Sequence, residues 1–245
     1  MKRSLVWTVV ASLIMVLLQH AEAGRLVAGL SSLEEFSDPQ LAGLADAACS
    51  GDISTIEQMV RIGASPNGIG RRGETPLIWA VWCGNLAGVE ALLRIGGNPN
   101  YVVPHENSAT FAAATSHDPS LLKLLLKYKG DPNAYAKDDL GNSALFRSIV
   151  LIENGYGADN FQALLAAGAN VNQVGPDGRS VAFYAALGFR YDLVAILLEH
   201  GFSYNLPQLA QMISTQKVGG ARASEISRER TNVLRMLKSR GIVPS

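Results

Sequence analysis

The chain has 245 residues, of which 48% are hydrophobic and 17% charged: enough apolar material for a packed core, and not the composition of a disordered chain. Its 21 basic and 21 acidic side chains balance, which removes the electrostatic case for a nucleic-acid partner. The length fits one or two domains.

The first 23 residues differ from everything after them. Lys2 and Arg3 precede an apolar run from Leu5 to Leu18, and Gln19-His20 leads into Ala21-Glu22-Ala23. A basic start, an apolar middle and a small-x-small end are the layout of a cleavable secretory signal, with the cut expected after Ala23. The run falls short of the roughly 20 apolar residues that span a bilayer. Residues 24–245 are therefore expected as an exported, periplasmic or secreted protein without stable membrane insertion. No Cys near the junction offers a lipid anchor, and the absence of an N-x-[ST] sequon favours a periplasm over a glycosylating pathway.

Beyond the signal the chain repeats. Asn67, Asn100, Asn133, Asn172 and Asn205 stand 33, 33, 39 and 33 residues apart, each ending a similar phrase: "MVRIGASPN", "LLRIGGNPN", "LLKYKGDPN", "LLAAGANVN", "LLEHGFSYN". Repeats are expected near 34–67, 68–100, 101–133, 134–172 and 173–205, with residues 33–43 closing one end and a helical cap over 206–245 closing the other. The paired leucines of each phrase pack the end of a helix. A glycine then follows at Gly63, Gly96, Gly168 and Gly201, where a left-handed cap is cheap only without a Cβ. The third phrase has Lys129 in that slot and its glycine one step later, so an irregular cap is expected there. In "GETPLIWA", Thr75 is set as an N-cap and Pro76 as the first helical residue. The signals predict two short helices, Pro76–Cys83 and Leu86–Ile95, which can bury their apolar stripes only by stacking on neighbours.

On these residues the sequence resembles the ankyrin repeat, whose period is about 33 residues and whose signature is T-P-L-H-x-A. "GETPLIWAVWCGNLAGVEALLRIGGNPN" matches best, with Ile78 in the histidine slot, and the likeness extends over residues 41–205. The resemblance implies an all-α solenoid of about five repeats, each a helix pair with a β-hairpin finger. It also implies binding of another protein through the finger tips and the concave face of the first helices.

That reading disposes of a competing motif. Residues 68–73, GIGRRG, have the spacing of a dinucleotide-binding loop, which must follow a strand and open a helix. "IGASPN" before it is a helix cap and turn, so the glycines belong to a finger. No nucleophile elbow, P-loop or H-E-x-x-H is present, and His105, His117 and His200 lack ligand spacing. No catalytic group, cofactor or metal is expected. Cys49 and Cys83 fall in first helices of adjacent repeats. Packed helices run about 8–10 Å apart while a disulfide wants Cα atoms within about 7 Å, so two thiols are expected.

The positions implied for partner binding form two columns. One holds Asp46, Trp79, Ala112, Arg147 and Tyr184, the other Cys49, Trp82, Thr115, Val150 and Leu187. Trp79, Trp82, Arg147 and Tyr184 are of the types that dominate binding hot spots. On the fingers, Tyr101, His105, Tyr135 and Asp139 join them. Repeat four gains two residues in its finger and four near "IENGYGADN", either a binding insertion or a tolerated one. Residues 206–245 carry seven basic and two acidic side chains, a docking patch or a solvated cap. The expected protein is a monomer when unbound. Its partner is an effector or a periplasmic enzyme, giving an immunity protein against a toxic effector such as a secreted lipase, or an accessory factor for a periplasmic enzyme such as one in oxidative defence.

Overall fold

The computed structural model describes residues 32–103, 108–136 and 143–244. The expected signal, residues 1–23, and two expected site residues, His105 and Asp139, lie outside the described residues. The chain divides into two compact units, one ending at Asn98 and the other starting at Pro99.

In the first unit α1 (Ser32–Glu35) precedes two helix pairs, α2 (Pro39–Ser50) with α3 (Ile53–Arg61), and α4 (Pro76–Cys83) with α5 (Leu86–Arg94). Local chemistry sets the boundaries. The side chains of Asp38, Asp52, Thr75 and Asn85 accept hydrogen bonds from backbone N–H groups of the first turns they precede. Gly51 and Gly84 end α2 and α4 in the left-handed region. The helices Pro76–Cys83 and Leu86–Arg94 fall where the capping residues predict them, to within one residue.

Stacking then buries one face of every helix. First helices lie on first helices and second on second, so Leu44, Leu77, Ile78, Val89 and Leu92 lose all contact with solvent. Burying each such side chain stabilises by about 1.5–3 kcal/mol. The approach is close: a Cβ added to Gly88 of α5 would sit 1.9 Å from the Ala48 carbonyl oxygen of α2.

That closeness corrects the expectation of two thiols. Cys49 and Cys83 form a disulfide, their Cα atoms 5.3 Å apart. Alanine supplies the reason. Ala45 and Ala48 of α2 and Ala80 of α4 are fully buried, and with such small side chains the facing Cα atoms, each about 2.3 Å off its helix axis, come closer than the axes themselves.

The second unit continues the pattern with α6 (Ala109–Ala114) and α7 (Pro119–Lys127), α8 (Ala144–Glu153) and α9 (Asp159–Ala166), and α10 (Val181–Leu187) and α11 (Tyr191–Glu199). A final pair, α12 (Leu206–Thr215) and α13 (Ala223–Ser239), covers α10 and α11. Much of the basic cap is structural. The Arg240 guanidinium donates to the Leu198 and Phe202 carbonyls at 2.6 and 3.1 Å, and Arg230 donates to the Gln216 and Ser214 carbonyls at 2.8 and 3.3 Å. Both spend their donors on backbone oxygens at helix ends.

The asparagine ruler has a physical basis. Asn67 accepts from the Asn98 N–H at 2.7 Å and donates to the Gly96 carbonyl at 2.9 Å. Asn100 repeats this with the Asp131 N–H at 2.7 Å and the Lys129 carbonyl at 2.8 Å. Asn133 accepts from Asn170 N–H at 2.6 Å, across the longer interval. Asn172 accepts from Ser203 and Tyr204 N–H and donates to the Gly201 carbonyl. Each asparagine thus clamps the loop one repeat further on.

The cap at Lys129 is regular, against expectation. Lys129 itself takes the left-handed conformation with φ 66°. Lys129 N–H donates to the Leu126 carbonyl and Gly130 N–H to that of Leu125, the same pair that Gly96 and Gly97 make with Leu93 and Leu92. Gly130 is then needed for space, because a Cβ there would lie 2.6 Å from Thr110 Oγ1.

Candidate protein-binding surface

The fingers come first, since the clamp asparagines hold their bases. In the first, Gly70 N–H donates to the Glu74 carbonyl and Gly73 N–H to that of Gly70, closing a tight turn that Gly73 enters with φ 90°. GIGRRG is therefore turn geometry, with no strand before it. Among the described residues the fingers expected as β-hairpins show only isolated antiparallel bridges, Tyr135 with Ser143 and Val174 with Ser180.

Four finger residues share one position, two after each clamp asparagine: Ile69, Val102, Tyr135 and Val174. They are 53%, 53%, 46% and 38% exposed. Three of them belong to the second unit. An apolar residue left about half in solvent at the same step of four repeats contributes little to the core.

The residues expected at the surface separate by burial. Tyr135 is exposed, while Tyr101, Trp82 and Tyr184 are partly buried. Trp79 is only 6% exposed, edge-on to Phe36 at 5.7 Å and to Trp82 at 6.4 Å. Arg147 is buried too, its guanidinium 5.9 Å from the centre of the Phe111 ring. In the structure both side chains are buried. Sequence reasoning missed Ile69, Val102 and Val174, although counting two residues on from each asparagine finds them.

Tyr184 anchors a small polar-aromatic group on the second unit. Its ring meets Phe146 at 4.6 Å, and its hydroxyl donates to the Asp177 carboxylate. Asp177 also pairs with Arg179 at 3.6 Å, and Arg179 lies over Phe183 at 5.4 Å. Burial, then the hydrogen bond and charge of Asp177, push the Tyr184 hydroxyl up to about 12, so it stays a donor across the physiological range. Such a group offers an aromatic edge and fixed charges to a partner.

The insertion in the fourth repeat brings Tyr156 onto His117, the rings stacked at 3.7 Å. Lys123 pairs with Asp159 nearby at 3.3 Å. Among the described residues no three His, Cys, Asp or Glu side chains gather as a metal site would require, and no helix is long and apolar enough to cross a membrane.

Against known families, residues 72–102 match the model of the ankyrin repeat. That span takes in α4, α5 and the loop clamped by Asn67. No curated protein matches the chain.

Proposed function

Since this chain is an ankyrin-repeat protein, built from a module that mediates protein–protein binding, we propose that it acts by holding another protein on its finger tips, without chemistry of its own. The observation that carries this reading is the recurrent exposed apolar residue at Ile69, Val102, Tyr135 and Val174. Trp82 in the first unit, and Tyr101 and Tyr184 in the second, are partly buried aromatics, the class that anchors interfaces.

Export belongs to the proposal. It is supported by the basic, apolar, small-residue order of positions 1–23. The Cys49–Cys83 disulfide supports it too, because such bonds persist in oxidising compartments. Within a periplasm the role we favour is neutralising a toxic effector, a secreted lipase being one kind.

The test is capture of partners from the periplasmic fraction by the tagged chain, beside a variant carrying V102D, Y135D and V174D. The wild type is expected to retain one stoichiometric protein, and the variant at least about tenfold less at unchanged helical circular dichroism. A captured protein that is hydrolytic or toxic when free and silent when bound makes the chain an inhibitor. One that stays active but decays without the chain makes it an accessory factor. Equal capture by both forms would remove the finger tips as the site.

A further inference from the structure

Trp79, 6% exposed, packs against a residue outside the helix pairs. Phe36, fully buried, lies between α1 and α2 and turns its ring onto Trp79. The segment carrying it is tied down along its length. Arg71 N–H donates to the Glu35 carbonyl at 2.8 Å, and Arg72 N–H to Glu35 Oε1 at 2.9 Å. Arg71 Nε donates to Ser37 Oγ and Ser32 Oγ to Asp46 Oδ2, both at 2.7 Å. The finger backbone fits closely here, since a Cβ on Gly70 would lie 2.4 Å from Glu35 Oε1.

Two carboxyl groups are buried in this contact, Glu35 at 2% exposed and Glu74 at 5%. Arg72 reaches Glu35 only loosely, with Nε 3.8 Å from Oε2 and its own side chain half in solvent. Glu74 Oε2 has no hydrogen-bond partner. A charged carboxylate in that position is strongly disfavoured, whereas a neutral carboxylic acid is tolerated. The charged groups around Glu74 are Glu35 from α1 and Arg72 from the finger. Arg71 is turned to Ser37, and Asp46 of α2 is engaged by Ser32.

We propose that residues 32–37 form a proton-operated latch over Trp79, closed while the Glu74 carboxyl is neutral and released when Glu74 loses its proton against the Glu35 carboxylate. Release withdraws Phe36 and adds the Trp79 ring to the surface that the first unit offers. Its use as regulation rests on the binding role proposed above, but the latch itself is read without any partner. The changeover falls near neutral pH. Burial first, then the Glu35 charge, push Glu74 up to about 7, with Arg72 opposing.

The experiment is hydrogen–deuterium exchange on the full chain at about pH 6 and about pH 8.5, corrected for the chemical exchange rate. Protection of the Phe36, Arg71 and Arg72 amides is expected to fall about tenfold or more at the higher pH, while α4 and α5 keep theirs. E74Q should hold protection at both values. E35Q, which keeps an oxygen acceptor for the Arg72 N–H while removing the facing charge, should do so if E74Q folds poorly. F36A should leave Trp79 open to acrylamide quenching at both. Equal protection in the wild type at both values, or the same loss in E74Q and E35Q, would overturn the latch. So would a loss spread evenly over residues 39–94. None of these outcomes touches the finger-tip reading, which the capture experiment decides separately.

Discussion

At Lys129 a long side chain occupies a backbone conformation that Gly63, Gly96, Gly168 and Gly201 hold in the other repeats. L-residues sit there at a penalty of about 1 kcal/mol. K129G should therefore raise stability by about 1 kcal/mol, read as a higher midpoint in urea at unchanged slope. Glu74 gives a second prediction, with its sign set by linkage. Its folded value of about 7 lies above the ordinary 4.5, so the folded state favours the protonated form. Its contribution is most favourable below the unfolded value, declines as pH rises from about 4.5 to about 7, and is flat beyond. E74Q should melt like the wild type near pH 4 and higher near pH 8, by at most about 3 kcal/mol. A variant that melts equally at both values would contradict this. Neither feature could be read from residue identity alone. Lys129 adopts the glycine geometry while keeping the same pair of backbone hydrogen bonds as the other repeats, and the Glu74 environment is completed by Glu35, 39 positions earlier.

Among elements, the pairing of α2 with α4 carries the most specific consequences. The disulfide closes a separation of 34 residues, for which chain entropy suggests a stabilisation of about 4 kcal/mol. Reduction, or C49S with C83S, should lower the melting temperature by several degrees, measured with and without dithiothreitol. G88A should cost more than 2 kcal/mol, since its methyl would meet the Ala48 carbonyl and force α5 off α2. The helix boundaries were legible because caps are local: Thr75, Pro76, Gly84 and Asn85 each act within one turn. The disulfide was not, because it depends on how nearly Ala45, Ala48 and Ala80 let two backbones approach. The burial of Trp79 was not legible for a related reason: Phe36 packs on it from a segment that has no place in the period.

For the whole molecule, the cap α12–α13 decides whether the stack ends in water. Leu197, Leu198 and Phe202 are fully buried, and Arg240 satisfies the carbonyls at the end of α11. Removing residues 206–244 should expose that surface and drive the chain into aggregates, seen as loss of monomer in size-exclusion chromatography. The exposed finger residues were only half legible at this scale. Tyr135 stands out by type, whereas Ile69, Val102 and Val174 pass for ordinary core residues until burial separates them.

The asparagine clamps have a consequence for how such a chain can change length. Each is made with the loop one unit ahead, and none reaches two units ahead. The bond from Asn133 closes over 37 residues as well as that from Asn67 over 31. Nothing in this bonding counts copies. A whole module can be duplicated or lost in frame between two asparagines, and every clamp will find its next neighbour. The ends do not share that freedom. Asn205 turns inward to Gln208, with no following loop to hold. Copy number can thus drift among the interior modules while the last helix pair, covering α10 and α11, stays fixed.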